Sequence, residues 1–344
     1  MVKINRTEKI TRKFLEEACK KQASDIHFYP SHDEDHVDIF YRLLGKRVYI
    51  RSIKKKLYAI ILAYLKYSAH MDISEKRKPQ SGKMHYTTEN KELYALRLST
   101  LPTMQEESLT IRLLPQSNLK IDELFVFPYQ FNRMKQWFHQ QAGLILITGP
   151  TGCGKSTTMY ALMQALTEKQ SYQAITLEDP IERTLDNVIQ VEMNERAGVS
   201  YHTGLKAALR HDPDIIMIGE IRDEKTAKFA LEASLTGHLV VSTIHAKNAV
   251  GTIDRLLDLN ISKNDIAQTL LAIASIQLIP VFTKGDVKRG AIVELIDGNN
   301  ITSILSGNKV VEQLNMETFE QLKEKVKRYG FLQDDSMDET SKSV

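Results

Sequence analysis

Gly143-Leu144-Ile145-Leu146-Ile147-Thr148-Gly149-Pro150-Thr151-Gly152-Cys153-Gly154-Lys155-Ser156 decides the fold. Its first half is an apolar run of the kind found in strands buried on both faces. Its second half fits G-x-x-x-x-G-K-[ST], a loop whose glycines let successive backbone N–H groups and a helix N-terminus face phosphates. In that arrangement Lys155 reaches the β and γ oxygens and Ser156 offers its hydroxyl to Mg²⁺. The expected nucleotide-binding set is Gly149, Pro150, Thr151, Gly152, Cys153, Gly154, Lys155, Ser156 and Thr157. Average composition would produce the pattern by chance roughly once in a hundred chains of this length.

Downstream, buried strands alternate with helices. Gly143 to Thr148, Ala174 to Leu177, Val188 to Glu192, Ile215 to Ile218 and Leu239 to Thr243 read as strands, with helical stretches from Lys155, over Tyr201 to Arg210 and over Glu224 to Leu235. Such alternation predicts a largely parallel, helix-covered sheet. Helical patterns over Val250 to Asp258 and Asp265 to Leu278 follow, then a strand Ala291 to Ile296 and an amphipathic helix Met316 to Tyr329.

Upstream, residues 1–115 mix a Lys-rich helical stretch with β-type runs at Val37 to Leu43, Lys83 to Tyr86, Leu93 to Ser99 and Leu109 to Leu114, which reads as a separate α+β domain. Breakers at Pro115 to Asn118 and at Pro128 put a linker at 116–128. The ATPase-type domain is expected over 129–333, and the polar, acidic stretch 334–344 is expected to be disordered. No internal repeat of fixed period is found.

The bulk numbers narrow the class. A chain of 344 residues has room for two cores, and a net charge of +3 gives no argument for direct nucleic-acid binding. Cys19 and Cys153, one of them in the phosphate loop, suit a reducing cytosol and cannot make a Cys₄ zinc site. The start, Met1-Val2-Lys3-Ile4-Asn5-Arg6, lacks a signal-peptide core. The apolar stretches Tyr58 to Leu65 and Ile266 to Phe282 are short or interrupted by polar residues and Pro280, so membrane association is expected to be peripheral.

Hydrolysis needs more than a phosphate loop: a carboxylate for water, and fixed positive charge for the transferring phosphoryl group. Glu220 follows Ile215-Ile216-Met217-Ile218-Gly219 and should project from the strand's C-terminal end, where sheets of this type bind ligands. Glu178 and Asp179 close the strand Ala174 to Leu177 and should reach the same edge, one of them serving the metal. Any single carboxylate more often caps a helix or solvates a strand end; three at strand mouths beside such a loop favour the functional reading. His238 and His245 bracket the strand Leu239 to Thr243, and spacing alone does not assign either.

Four segments in order then resemble a family. Gly149 to Ser156, Leu177-Glu178-Asp179-Pro180-Ile181-Glu182, Leu209 to Asp214 leading into Gly219-Glu220-Ile221-Arg222-Asp223, and Thr236-Gly237-His238 through His245 are similar to the Walker A, aspartate, Walker B and histidine boxes of the ATPases of type II secretion and type IV pili. Ala23-Ser24-Asp25-Ile26-His27, Leu96 to Pro102 and Thr110 to Leu114 resemble the same family's N-terminal domain. The resemblance implies a PAS-like N-terminal domain joined to a RecA-like P-loop NTPase domain, an α/β protein that assembles as a homo-hexamer and hydrolyses ATP with Mg²⁺. It implies Glu220 as catalytic carboxylate, Glu178 as an acid organising water or Mg²⁺, His238 as γ-phosphate sensor, and Arg97 and Arg112 as arginine fingers. Without it, either arginine would read as a strand-surface residue.

The compact form resembles the competence-pilus ATPases of Gram-positive bacteria. The sequence is expected to lack the extra N-terminal domain of many export motors, and their tetracysteine module, which would follow Ile279, is replaced by Pro280-Val281-Phe282; no zinc is therefore expected. The family's Gln-Arg-Leu reads Gln277-Leu278. The implied function is a motor on the inner face of the cell membrane, docked on a polytopic platform protein and powering a pilus or pseudopilus for DNA uptake or protein transport. Alternatives are pilus retraction, although Glu312 to Phe331 lacks the retraction motors' signature helix; a nucleic-acid translocase; and a nucleotide-dependent scaffold.

Overall fold

The computed structural model describes residues 6–31, 35–104, 106–116, 124–167, 172–283, 286–307, 314 and 316–331. The expected disordered stretch 334–344 and most of the expected linker lie outside them. The chain divides into two units, residues 1–118 and 119–344.

In the first unit, α1 (Arg6–Lys20) precedes β1 (Asp25–Pro30), β2 (His36–Leu43) and β3 (Lys46–Lys54); α2 (Lys55–Ser68) then leads to β4 (Gln80–Thr87), β5 (Leu93–Pro102) and β6 (Glu107–Pro115). The strands form one antiparallel sheet in the order β3-β2-β1-β6-β5-β4. Leu15 and Ala18 of α1 and Tyr58, Ile61 and Leu65 of α2 are buried with Ile26, Phe28, Ile39, Leu96 and Ile111 of the sheet. Helices gathered on one face of an antiparallel sheet give the expected α+β layer. Period-2 alternation sends the intervening residues to the opposite face. One register row there reads Arg47, Arg42, Asp25, Arg112, Arg97 and Lys83 across all six strands.

The second unit starts with α3 (Pro128–Trp137) and β7 (Gly143–Thr148), then α4 (Lys155–Thr167), β8 (Ala174–Glu178), β9 (Val188–Glu192), α5 (Tyr201–Ala208), β10 (Ile215–Ile221), α6 (Glu224–Leu235) and β11 (Leu239–Ile244). It continues with α7 (Ala249–Asp258), α8 (Lys263–Thr269), β12 (Leu270–Thr283), β13 (Asp286–Asp297), α9 (Gly298–Leu305) and α10 (Phe319–Arg328). The seven strands run in the order β13-β12-β7-β11-β10-β8-β9, and all neighbouring pairs but β12 with β13 are parallel. Each central strand feeds two cores. Ile145, Ile147, Met217 and Val241 pack with α3 and α4, whereas Leu144, Leu146, Ile216, Ile218 and Val240 pack with α6 and α7. The predicted parallel α/β sheet is therefore present.

One predicted element is wrong. The helix expected over Asp265 to Leu278 ends at Thr269, and Leu270 begins the long strand β12 between β7 and β13. Ala272, Ala274 and Ile276 enter one core and Ile273 the other, so the segment is apolar on both faces and its periodicity cannot separate strand from helix. Strands β1 and β3 and helices α3 and α9 were not foreseen as elements. Among the described residues, no helix is long and apolar enough to cross a membrane.

Candidate active site

The phosphate loop leaves β7, a strand paired on both sides, and turns into α4. Gly149 has φ +138°, and a Cβ there would sit 2.6 Å from the Ile276 carbonyl oxygen, so this position admits glycine only. Gly152 and Gly154 also carry positive φ, +78° and +95°. Together they curl the chain so that the helix start faces the mouth of the sheet. Lys155 Nζ donates to the carbonyls of Gly149 (2.8 Å) and Pro150 (3.0 Å). Burial lowers its pKa, offset in part by the negative charge of Glu220.

From the neighbouring strands two further groups arrive. Glu220 lies on β10 and His245 directly follows β11; His245 Nε2 is 3.0 Å from Glu220 Oε1, and its Nδ1 is 3.5 Å from Lys155 Nζ. Arg222 Nε donates to the other Glu220 oxygen at 2.7 Å, and its Nη1 lies 3.4 Å from Asp179 Oδ2. That hydrogen bond to Glu220 is the main reason the Arg222 pKa is raised. Lys155, His245, Glu220, Arg222 and Asp179 thus form one continuous polar chain along the C-terminal edge of β7, β11, β10 and β8, the edge at which parallel sheets take ligands.

Glu178 is placed differently from Asp179. Its side chain is buried, accepting from Tyr160 Oη, from Thr176 Oγ1 at 2.5 Å and from Gln190 Nε2 at 3.1 Å, while burial pushes its pKa up despite these donors. Tyr160 belongs to α4, so Glu178 braces the helix that follows the phosphate loop. Asp179 is half-exposed and faces the open edge.

His238 departs from expectation. It precedes β11, and its carbonyl accepts from the Gly143 N–H at the start of β7, whereas the phosphate loop follows the end of β7. A six-residue strand spans about 20 Å. Within the chain His238 therefore lies at the opposite end of β7 from the phosphate loop, and its Nδ1 is within hydrogen-bond distance of Thr236 Oγ1 and the Ala233 carbonyl. His245, which follows the other end of β11, is the histidine that lies beside the loop. Arg222 was likewise missed as a site residue; an arginine two positions after the catalytic carboxylate candidate was the available signal. Arg97 and Arg112 lie in the first unit as register partners on β5 and β6.

A further buried carboxylate ties two helix starts together. Glu294 of β13 accepts from Ala249 N–H at the start of α7 (3.1 Å) and from Phe319 N–H at the start of α10 (2.9 Å), and burial raises its pKa. α7 begins just after the segment that carries His245.

For Mg²⁺ the candidate groups are all oxygens: the Ser156 hydroxyl beside Lys155, and, beyond β11 and β10 at the end of β8, the half-exposed Asp179 carboxylate and the buried Glu178 carboxylate, which already accepts from Tyr160, Thr176 and Gln190. An oxygen set suits this ion, which keeps several waters and takes most of its remaining ligands from phosphates. Among the described residues, no group of three or more His, Cys, Asp or Glu is arranged to hold a metal alone.

A phosphate loop in the middle of a parallel sheet, faced by a carboxylate and a histidine from the next strands, defines a P-loop ATPase of the RecA-like class. The chain belongs to the family described as type II/IV secretion system protein, whose profile matches residues 3–316. It is 40% identical over 319 residues to competence protein ComGA of Bacillus subtilis (strain 168), covering 88% of each chain. To type II secretion system protein E of Klebsiella pneumoniae it is 38% identical over 267 residues, 77% of this chain and 53% of that protein. The crystal structure of the pilus retraction motor PilT with bound ADP superposes with a TM-score of 0.68 at 25% identity, covering 94% of each chain.

Proposed function

We propose that this ATPase works as a homo-hexameric motor that powers assembly of a competence pilus or related pseudopilus, docked peripherally on a polytopic platform protein at the inner face of the cell membrane. The observation that carries the chemistry is the convergence of Lys155, His245 and Glu220 at the mouth of the phosphate loop. Similarity to ComGA over 88% of both chains supports the competence setting.

In this reading the backbone N–H groups of Gly152 to Ser156 cradle the phosphates. For Lys155 to reach phosphate oxygens it exchanges its bonds to the Gly149 and Pro150 carbonyls. Glu220 orients the attacking water and takes its proton, while His245, in contact with both Lys155 and Glu220, reports on the γ-phosphate. Mg²⁺, held by Ser156 with Asp179 or Glu178 behind it, would supply charge neutralisation on the phosphates. Arg97 and Arg112 stabilise the charge that develops on the transferring group, as arginine forks do. Nucleotide-dependent differences in contact then bias the domain arrangement, which is how hydrolysis becomes movement.

Pilus retraction is the second reading, favoured by the similarity to PilT along nearly the whole chain. The test is ATP turnover of the purified chain with and without the platform protein in vesicles, with single-stranded DNA as control, together with pilus counts in cells carrying Lys155→Ala. Stimulation by the platform and loss of pili support assembly. Hyperpiliated cells point to retraction, and stimulation by DNA alone, steeply weakened by salt, points to a translocase.

A further inference from the structure

In the register row across the first unit's sheet, Asp25 is the one acid among Arg47, Arg42, Arg112, Arg97 and Lys83. It is also the most deeply placed of the three charges at its centre: its side chain is 5% exposed, against 42% for Arg42 and 58% for Arg112. Asp25 Oδ1 accepts from Arg112 Nε at 2.9 Å, and Oδ2 accepts from Ser24 Oγ at 2.8 Å and lies 3.6 Å from Arg42 Nε. The backbone fixes this carboxylate from both sides, because Ser24 N–H donates to the Arg42 carbonyl and Leu113 N–H donates to the Ser24 carbonyl.

The geometry of the contact is informative. Asp25 takes the Nε–H of Arg112 and neither of its terminal Nη groups, so the fork stays available on the exposed face. A bidentate grip on the Nη pair would instead consume the donors that recognise phosphate. Cations directly opposed across strands repel, and Arg112 has Arg97 as its register partner on one side. The Asp25 carboxylate is fixed by Ser24 and holds the Arg112 guanidinium by its Nε.

We propose that Asp25 is the positioning residue for Arg112 in phosphoryl transfer: the buried carboxylate anchors Nε and sets the direction in which the guanidinium presents its terminal nitrogens to the transferring group. This rests on the arginine-finger reading of Arg112 given above. The bland alternative is that Asp25 only stabilises the sheet, as a partly exposed ion pair contributes little beyond that.

A double-mutant cycle on the full-length chain separates the two, with kcat, KM for ATP and the thermal midpoint measured for Asp25→Asn, Arg112→Ala, the double variant and Arg42→Ala. Arg112→Ala should lower kcat about 10²-fold or more with KM little changed. Asp25→Asn, which keeps side-chain volume and an acceptor oxygen, should lower kcat about 10-fold, and should cost nothing further once Arg112 is gone. Arg42→Ala, which touches the same carboxylate, should leave kcat within about twofold of wild type, because a stabilising role is shared between the two arginines and a positioning role is not. If Asp25→Asn lowers kcat equally with and without Arg112, or leaves kcat intact while Arg112→Ala collapses it, the positioning role is overturned and the finger stands. If Arg112→Ala turns over ATP normally, the finger assignment and the Asp25 role both fail.

Discussion

Replacing Glu220 with Gln isolates the chemical step from binding. Glutamine keeps the length of the side chain and one acceptor oxygen, so the bond from Arg222 Nε can persist while the negative charge and the proton acceptor are lost. The Arg222 side chain is 59% exposed, so its pairing with Glu220 contributes at most about 1 kcal/mol to the fold, and the thermal midpoint should move by no more than about 2–4 °C. Lys155 and the phosphate-loop backbone are untouched, and one negative charge near the phosphates is removed, so ATP affinity should hold or rise. The general base contributes about 10²- to 10⁴-fold, equivalent to about 2.7–5.4 kcal/mol at 1.36 kcal/mol per decade. Single-turnover phosphate release, run beside equilibrium binding of a non-cleavable ATP analogue, measures both quantities. Turnover within threefold of wild type, or binding and turnover falling in step, would refute the assignment of Glu220 as base.

Three further outcomes follow from the geometry. His245→Ala should lower kcat more than His238→Ala does, since only His245 touches Lys155 and Glu220; the reverse ranking in steady-state assays would contradict the edge assignment. Gly149→Ala forces a Cβ to 2.6 Å from a backbone oxygen at φ +138°, so it should cost about 1–3 kcal/mol and weaken nucleotide binding at least about tenfold, as read by calorimetry and thermal melting; unchanged affinity would count against the curled loop. Burial raises the Glu294 pKa above its ordinary value of 4.5, so the folded state holds that proton more tightly than the unfolded chain. The cost of ionising it is absent below that ordinary value and complete above the raised one. Urea midpoints should therefore show the stability of wild type relative to Glu294→Gln falling as pH rises from 4.5 toward neutrality, and a flat or rising difference would show that burial does not govern this carboxylate.

The phosphate loop and the strands feeding it were legible because Leu144 to Ile147, Ile215 to Ile218 and Leu239 to Thr243 are apolar runs too short for helices and bounded by turn residues. β12 was not, because Ala272 to Ile276 is buried on both faces and its small residues Ala272, Ala274 and Ser275 blur any period. β3 escaped for the opposite reason: it lies at the sheet edge, and most of Lys46–Lys54 is exposed. In the site, Glu220 was singled out by its position after the apolar run Ile215 to Ile218, and it lies in the last part of β10. The choice between His238 and His245 needed the direction of β11. Since that strand runs parallel to β7, its C-terminal neighbour had to lie beside the loop, a deduction that strand order and handedness allow but residue spacing does not.

The two bonds to Glu294 make one side chain the shared counter-charge of two helix starts. Each start carries partial positive charge and an N–H without a partner in its own helix, and both draw on the same carboxylate from different directions. A slide of either helix by more than about an ångström takes its N–H out of bonding range and leaves the carboxylate leaning toward the other. α10 and the helix that follows the His245 segment are thus referred to one acceptor on β13, so the placement of either helix start is fixed against the other through a single side chain.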